Sequence, residues 1–163
     1  MSQTTAAIAG TTTKIEYSLN ASGTTGTWTD ISGYAGSVTP SGGEQITGSA
    51  QTMDGNAAIV KGANKIDPWT ITFSVVYTDT DAQPFVAIYD RFVSATKTIA
   101  VRWSYAGGTS GTKQYFATDS AGTNPVMVPI VSCTPPTAEA GTADPLMFEF
   151  SVLAPAIGKA TVA

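Results

Sequence analysis

Histidine is absent from this 163-residue chain, and cysteine occurs once, at Cys133. The first absence removes the commonest general base and the commonest transition-metal ligand together. The second excludes an internal disulfide and argues against the stapled secreted class. Hydrolytic triads, Cys–His pairs and zinc sites are therefore excluded or incomplete. The chain is expected to be no enzyme and to need neither metal nor cofactor.

Charge is scarce too, at 12% of residues against roughly a quarter in an average soluble domain. Charged side chains are the usual device that blunts exposed strand edges, so a strand-rich chain with so few is expected to sit beside copies of itself. The eight Lys and Arg residues are scattered and the net charge is −4, which leaves no basic stripe to neutralise phosphates. No apolar run approaches a membrane span, and residues 1–14 lack the basic start and apolar stretch of a secretory leader. Membrane binding is not expected, and synthesis is expected in a cytoplasm.

What the chain does have is alternation. Within Pro68–Val93 the hydrophobic period changes from two to nearly four. The first half, PWTITFSVVYT, sets Trp69, Ile71, Phe73, Val75 and Tyr77 against Thr70, Thr72, Ser74 and Thr78, the pattern of a half-buried strand. After DTDAQP, residues Phe85, Ile88, Tyr89 and Phe92 fall at helical spacing. This predicts a helix over 81–93, with Asp81 as N-cap and Pro84 in the first turn, where a missing N–H costs little. Its apolar side is expected on the outer side of a sheet, with Asp90 and Arg91 toward solvent or a neighbour.

Further strands are predicted over 14–19, 28–31, 34–38, 44–52, 56–61, 98–105, 113–118, 126–133 and 146–153. Pro129 marks an edge or a bulge, and Pro155 ends the last strand. Strands on this scale with a single helix indicate a mainly β fold, a two-sheet β-sandwich or barrel with one flanking α-helix. The expected organisation is a flexible arm over 1–12, one domain over 13–155 and a short tail over 156–163.

Segment 41–67 is expected to protrude. EQITGSAQT carries one large apolar side chain, Ile46, too little to offset its own ordering by packing into a core. Asp54-Gly55 is a hairpin signal, and GANKID loops back to the body. A polar hairpin of this kind must be ordered by something outside its own domain. The candidate subunit-contact residues are therefore Ser41, Gly42, Gly43, Glu44, Gln45, Thr47, Ser49, Gln51, Asp54, Gly55, Asn56, Lys61 and Lys65.

Other conspicuous residues reduce to structure. Asp79 and Asp81 form the tightest acidic pair and read as a helix start with solvated neighbours. SGGE and AGGTSGT lack the lysine and the strand-to-helix context of a phosphate cradle, so they read as turns. Trp69 and Trp103 fall on the apolar faces of alternating strands and read as core; Trp28 and Tyr34 are open to a surface role.

The order of these features resembles a known family. W.DISG (Trp28, Asp30–Gly33), SGGE (Ser41–Glu44), KGANK (Lys61–Lys65), PWTITFSVVYT with the F..IYDRF helix (Phe85–Phe92), VRW (Val101–Trp103) and FEFSV (Phe148–Val152) together look like the major tail tube protein of long, non-contractile phage tails. The resemblance spans about Trp28 to Pro155. It implies a virion protein of the tail, assembled in the host cytoplasm as hexameric rings that stack into a hollow tube for DNA ejection. It also implies partners: other copies of the chain, a tape-measure protein, a tail terminator and a tail-tip complex, with DNA as passing cargo. A monomeric carbohydrate-binding or adhesin-type sandwich, and the inner tube of a contractile injection system, are the alternatives.

Overall fold

The computed structural model describes residues 8, 10–21, 26–53, 55, 57–78, 80, 83–118, 125–141 and 143–162. Among them are eleven strands and one α-helix. The strands are β1 (Lys14–Ser18), β2 (Thr29–Asp30), β3 (Ala35–Gly42), β4 (Gln45–Ala50), β5 (Ile59–Ile66) and β6 (Trp69–Val76), followed after α1 (Pro84–Val93) by β7 (Thr98–Ser104), β8 (Lys113–Thr118), β9 (Val128–Thr134), β10 (Met147–Ala154) and β11 (Ala156–Thr161).

Nine strands form one hydrogen-bonded sheet, seven of them along the path β11-β8-β7-β9-β10-β6-β3 with β1 and β2 branching from β7, and the sheet folds into two layers. One layer runs β2-β1-β7-β8-β11 and the other β9-β10-β6-β3; they share a corner where Thr98 and Ile99 of β7 lie opposite Pro129 and Val128 of β9. The two ends of the path, β11 and β3, do not pair with each other, so the sandwich does not close into a barrel. The remaining strands, β4 and β5, form a separate two-stranded sheet.

The core follows from alternation. Ile71, Phe73 and Val75 of β6 stand in register with Val152, Phe150 and Phe148 of β10, and all six are almost completely buried. The other layer contributes Ile15, Tyr17, Ile99, Val101 and Trp103. Phe73 stacks on Phe150 with ring centroids 4.8 Å apart and meets Trp103 edge-on at 6.3 Å, so one ring ties the two layers together.

Helix α1 begins at Pro84, with Gln83 as N-cap and no side-chain cap bond; the expected cap, Asp81, lies outside the described residues. Proline at the first helical position supplies the start instead, because its fixed φ suits the helix and its missing N–H would be unpaired there anyway. The expected apolar side is the packed one. Ile88 is fully buried, and Phe85 meets Tyr77 at 5.1 Å and Phe148 at 5.1 Å. Phe148 belongs to the inner face of β10, so the helix caps one end of the layer pair rather than lying on the outside of a sheet.

Three further expectations are corrected. Residues 156–161, expected as a tail, form β11 and pair along their whole length with β8; AIGKAT lacks a readable apolar period, and backbone pairing orders it. β3 continues through Pro40 to Gly42, which an edge strand tolerates because the missing donor faces no partner. Arg91 does not point into solvent: its Nε donates to the Thr98 carbonyl at 2.8 Å and its Nη2 to the Leu19 carbonyl at 3.0 Å. Of the expected arm, residues 1–7 and 9 lie outside the described residues, while Gly10–Thr12 form a 3-10 turn whose Thr12 Oγ1 donates to the Tyr105 carbonyl at 2.6 Å.

Candidate assembly surfaces

β3 and β6 pair in the body of the sandwich, and their chains then continue outward as β4 and β5. The elbow is a glycine pair: Gly42 and Gly43 have φ of 90° and 70°, in the left-handed region that favours glycine. The Asp67 N–H donates to the Glu44 carbonyl at 2.9 Å and clamps the junction. Beyond it, every described residue of β4 and β5 is exposed. At roughly 3.4 Å per residue, β4 alone extends this ribbon by about 20 Å.

A two-stranded ribbon standing alone is marginal in water. This one also holds Ile46, Met53, Ile59, Val60 and Ile66, five of the eight large hydrophobic side chains exposed among the described residues. The ribbon therefore has the composition of a surface awaiting a cover.

The candidate contact residues fall along this element. Ser41 and Gly42 end β3, Gly43 and Glu44 form the elbow, and Gln45, Thr47 and Ser49 lie on β4 with Gln51 just beyond. Lys61 and Lys65 lie on β5, which runs on to Ile66 instead of ending at Lys61 as expected. Gly55 is in the tip; Asp54 and Asn56 lie outside the described residues. The connection between Ala50 and Ile59 is longer than the tight Asp-Gly turn expected. Gln45 has an internal duty, because its Nε2 donates to the Ala63 carbonyl at 2.9 Å while its side chain covers Gly62.

Sequence reasoning missed a second surface, the outer face of the β9-β10-β6-β3 layer. Register places Thr39, Thr72, Ser151 and Ser132 in one row across four strands. The next row is Ser37, Ser74, Glu149 and Thr134, and on the other side Ser41, Thr70 and Leu153 make a third. All three rows lie in regular register; a bulge in β3 near Gly36 and one in β9 near Val131 fall just beyond them. Ser132 and Ser151 hydroxyls hydrogen-bond at 2.6 Å. The alternating Thr and Ser of PWTITFSVVYT were the available signal, but only register joins them to their neighbours.

The opposite layer presents a different outer face. There Glu16, with a side chain 8% exposed, pairs with Arg102 at 2.6 Å and Lys14 at 2.9 Å. Trp28 lies over Arg102 with the guanidinium 4.1 Å from the ring centroid. Trp28 is thus a cover for a paired cation and not a free aromatic platform, and Tyr34 is packed against the core.

Between the unpaired ends β3 and β11 lies an open cavity of about 410 Å³, lined by Pro40, Trp69, Trp103, Tyr115 and Ile157. Trp69, expected in the core, is half-buried at this seam. No group of acidic or cysteine side chains among the described residues is arranged to hold a metal ion.

No family model matches the chain, and no curated protein does. Among solved structures it is similar to the sheath-tube complex of an extracellular contractile injection system, PVC, in its extended state. That match has a TM-score of 0.60 at 15% identity and covers 97% of this chain and 94% of that one. The tube-terminating cap of the anti-feeding prophage gives 0.58 at 10% identity over 99% and 95%. The tail of an empty GTA particle, with C6 symmetry, gives 0.50 at 12% identity over 96% and 100%. At such identities the likeness establishes the fold: mainly β, two-layered and tail-tube-like.

Proposed function

We propose that this chain is a structural tail protein that polymerises as stacked rings into a tail tube through which DNA passes. The reading rests chiefly on the ribbon, a fully exposed element carrying five large hydrophobic side chains that a solitary domain gains nothing by displaying. Two free strand edges add support: β3, and the stretch of β9 beyond its pairing with β7, offer unpaired backbone groups on the two sides of one layer. Lateral pairing of copies would remove both edges. Six copies per ring is the number adopted, following the sixfold symmetry of the similar anti-feeding prophage and GTA assemblies.

In this reading no side chain performs catalysis. The ribbon residues Ser41 to Lys65 contact neighbouring subunits, and tape-measure, terminator and tip proteins meet the tube along its bore and at its ends. The protein then belongs to the virion tail and assembles in the host cytoplasm. The sequence resemblance is to non-contractile tails. A second reading, the inner tube of a contractile injection system, is favoured by the likeness to the PVC sheath-tube complex and adds an outer sheath as partner.

Negative-stain microscopy of the purified chain tests the proposal, with and without deletion of residues 52–57. Tubes or rings are expected for the intact chain, and a folded monomer for the deletion. An intact chain that stays monomeric and binds glycans overturns the proposal. Isolation of native particles with or without a sheath protein around the tube separates the two readings.

A further inference from the structure

We infer that the open seam between β3 and β11 is a binding site for a small, flat aromatic anion, an inference that stands whether or not the chain builds a tube. The cavity there holds about 410 Å³, inside the range of about 300–1,000 Å³ typical of small-molecule sites. Trp69, Trp103, Tyr105 and Tyr115 line it. The Trp103 and Tyr115 rings stack with centroids 6.1 Å apart, and Tyr105 leans on Tyr115 at 5.3 Å. Aromatic walls of this kind favour a flat ring laid against them. The cavity also sits at the root of the ribbon, because Trp69 is the ring against which Gly43 packs.

The charge of the ligand follows from Lys159, the one charged residue in the lining among the described residues. Register sets Lys159 beside Tyr115 and Tyr115 beside Trp103, so all three project from the same side of the sheet. Among the described residues no carboxylate pairs with Lys159; the ion pairs join Lys14 to Glu16 and Asp30, and Arg102 to Glu16. An inward charge on an edge strand also discourages stray pairing, which accounts for the lysine but not for Trp103. The Trp103 indole N–H is buried without a hydrogen-bond partner, and buried donors are rarely left so. A neutral ligand leaves the lysine unpaired, and a cation is repelled by it. A ring system bearing an anionic oxygen answers the aromatic walls and the cation together, and its oxygens are acceptors for an unspent donor.

The probe is anilinonaphthalene sulfonate, an aromatic anion that fluoresces in apolar surroundings, titrated into the unassembled full-length chain at low salt. One saturable site is expected. Lys159→Gln should weaken it about threefold or more, while phenylnaphthylamine, a related dye with no charge, should bind wild type and Lys159→Gln alike. That second dye also reports that the variant is folded. Trp69→Leu should weaken both dyes. Lys61→Gln and Lys65→Gln should change neither, which separates the seam from the hydrophobic side chains exposed on the ribbon. Affinity for the anionic dye that ignores Lys159, or that falls equally with the ribbon lysines, overturns the inference. So does a chain that binds neither dye, including one whose seam is closed by a second copy, seen as a dimer in sedimentation.

Discussion

A Cβ placed on Gly43 would fall 2.0 Å from Cε2 of Trp69, so the backbone of the elbow lies directly against the indole ring. Gly43 also has a φ of 70°. The ribbon is aimed by this contact, because the chain can turn out of β3 only where no side chain separates it from Trp69. Gly43→Ala should therefore cost about 2–4 kcal/mol, combining left-handed strain of about 1–2 kcal/mol with overpacking of the ring. Denaturant unfolding of the monomer measures it, and a change under about 0.5 kcal/mol would show that the elbow is free to shift.

Arg91 joins three elements, since one guanidinium donates to the carbonyls of Thr98 and Leu19 from the last turn of α1. Hydrogen bonds made by a charged group are worth about 1.5–3 kcal/mol each, and the site is only part-buried. Arg91→Ala should cost about 2 kcal/mol in the same unfolding assay. Its neighbour Asp90 is exposed, and Asp90→Ala should stay within about 0.5 kcal/mol.

Phe85 touches Tyr77, Tyr89 and Phe148 and is the main contact through which α1 caps the core. Truncation to alanine should cost about 3 kcal/mol, the lower end for a phenylalanine because the side chain is half-buried. Folding of the monomer should weaken before any effect on tube geometry appears. Tubes with normal yield and an unchanged unfolding midpoint would contradict the capping role.

Burial pushes the Cys133 thiol up from 9.0 to about 11. The charged thiolate is the form that burial penalises, so the folded pKa lies above the unfolded one. Its contribution to stability is then complete below pH 9 and declines as pH rises toward 11. The melting temperature of wild type should fall more steeply across that window than that of Cys133→Ala, once both are referenced to their values at pH 8. Parallel slopes would show that the thiol does not titrate with folding.

Composition and period settled much of this protein before any coordinates. Period-two runs place Ile71, Phe73, Val75, Phe148, Phe150 and Trp103 inward because alternation survives any topology. EQITGSAQT could be recognised as a strand without a core for the same reason. Tertiary structure alone decided what depends on partners distant in sequence. Helical spacing puts Arg91 toward solvent or a neighbour, because it says nothing of a carbonyl 72 residues away in the same chain. β11 was hidden because backbone pairing with β8, not side-chain period, orders it. The hydroxyl rows are not legible in the sequence because each strand contributes only two or three of their members; backbone register across four strands assembles them into one face.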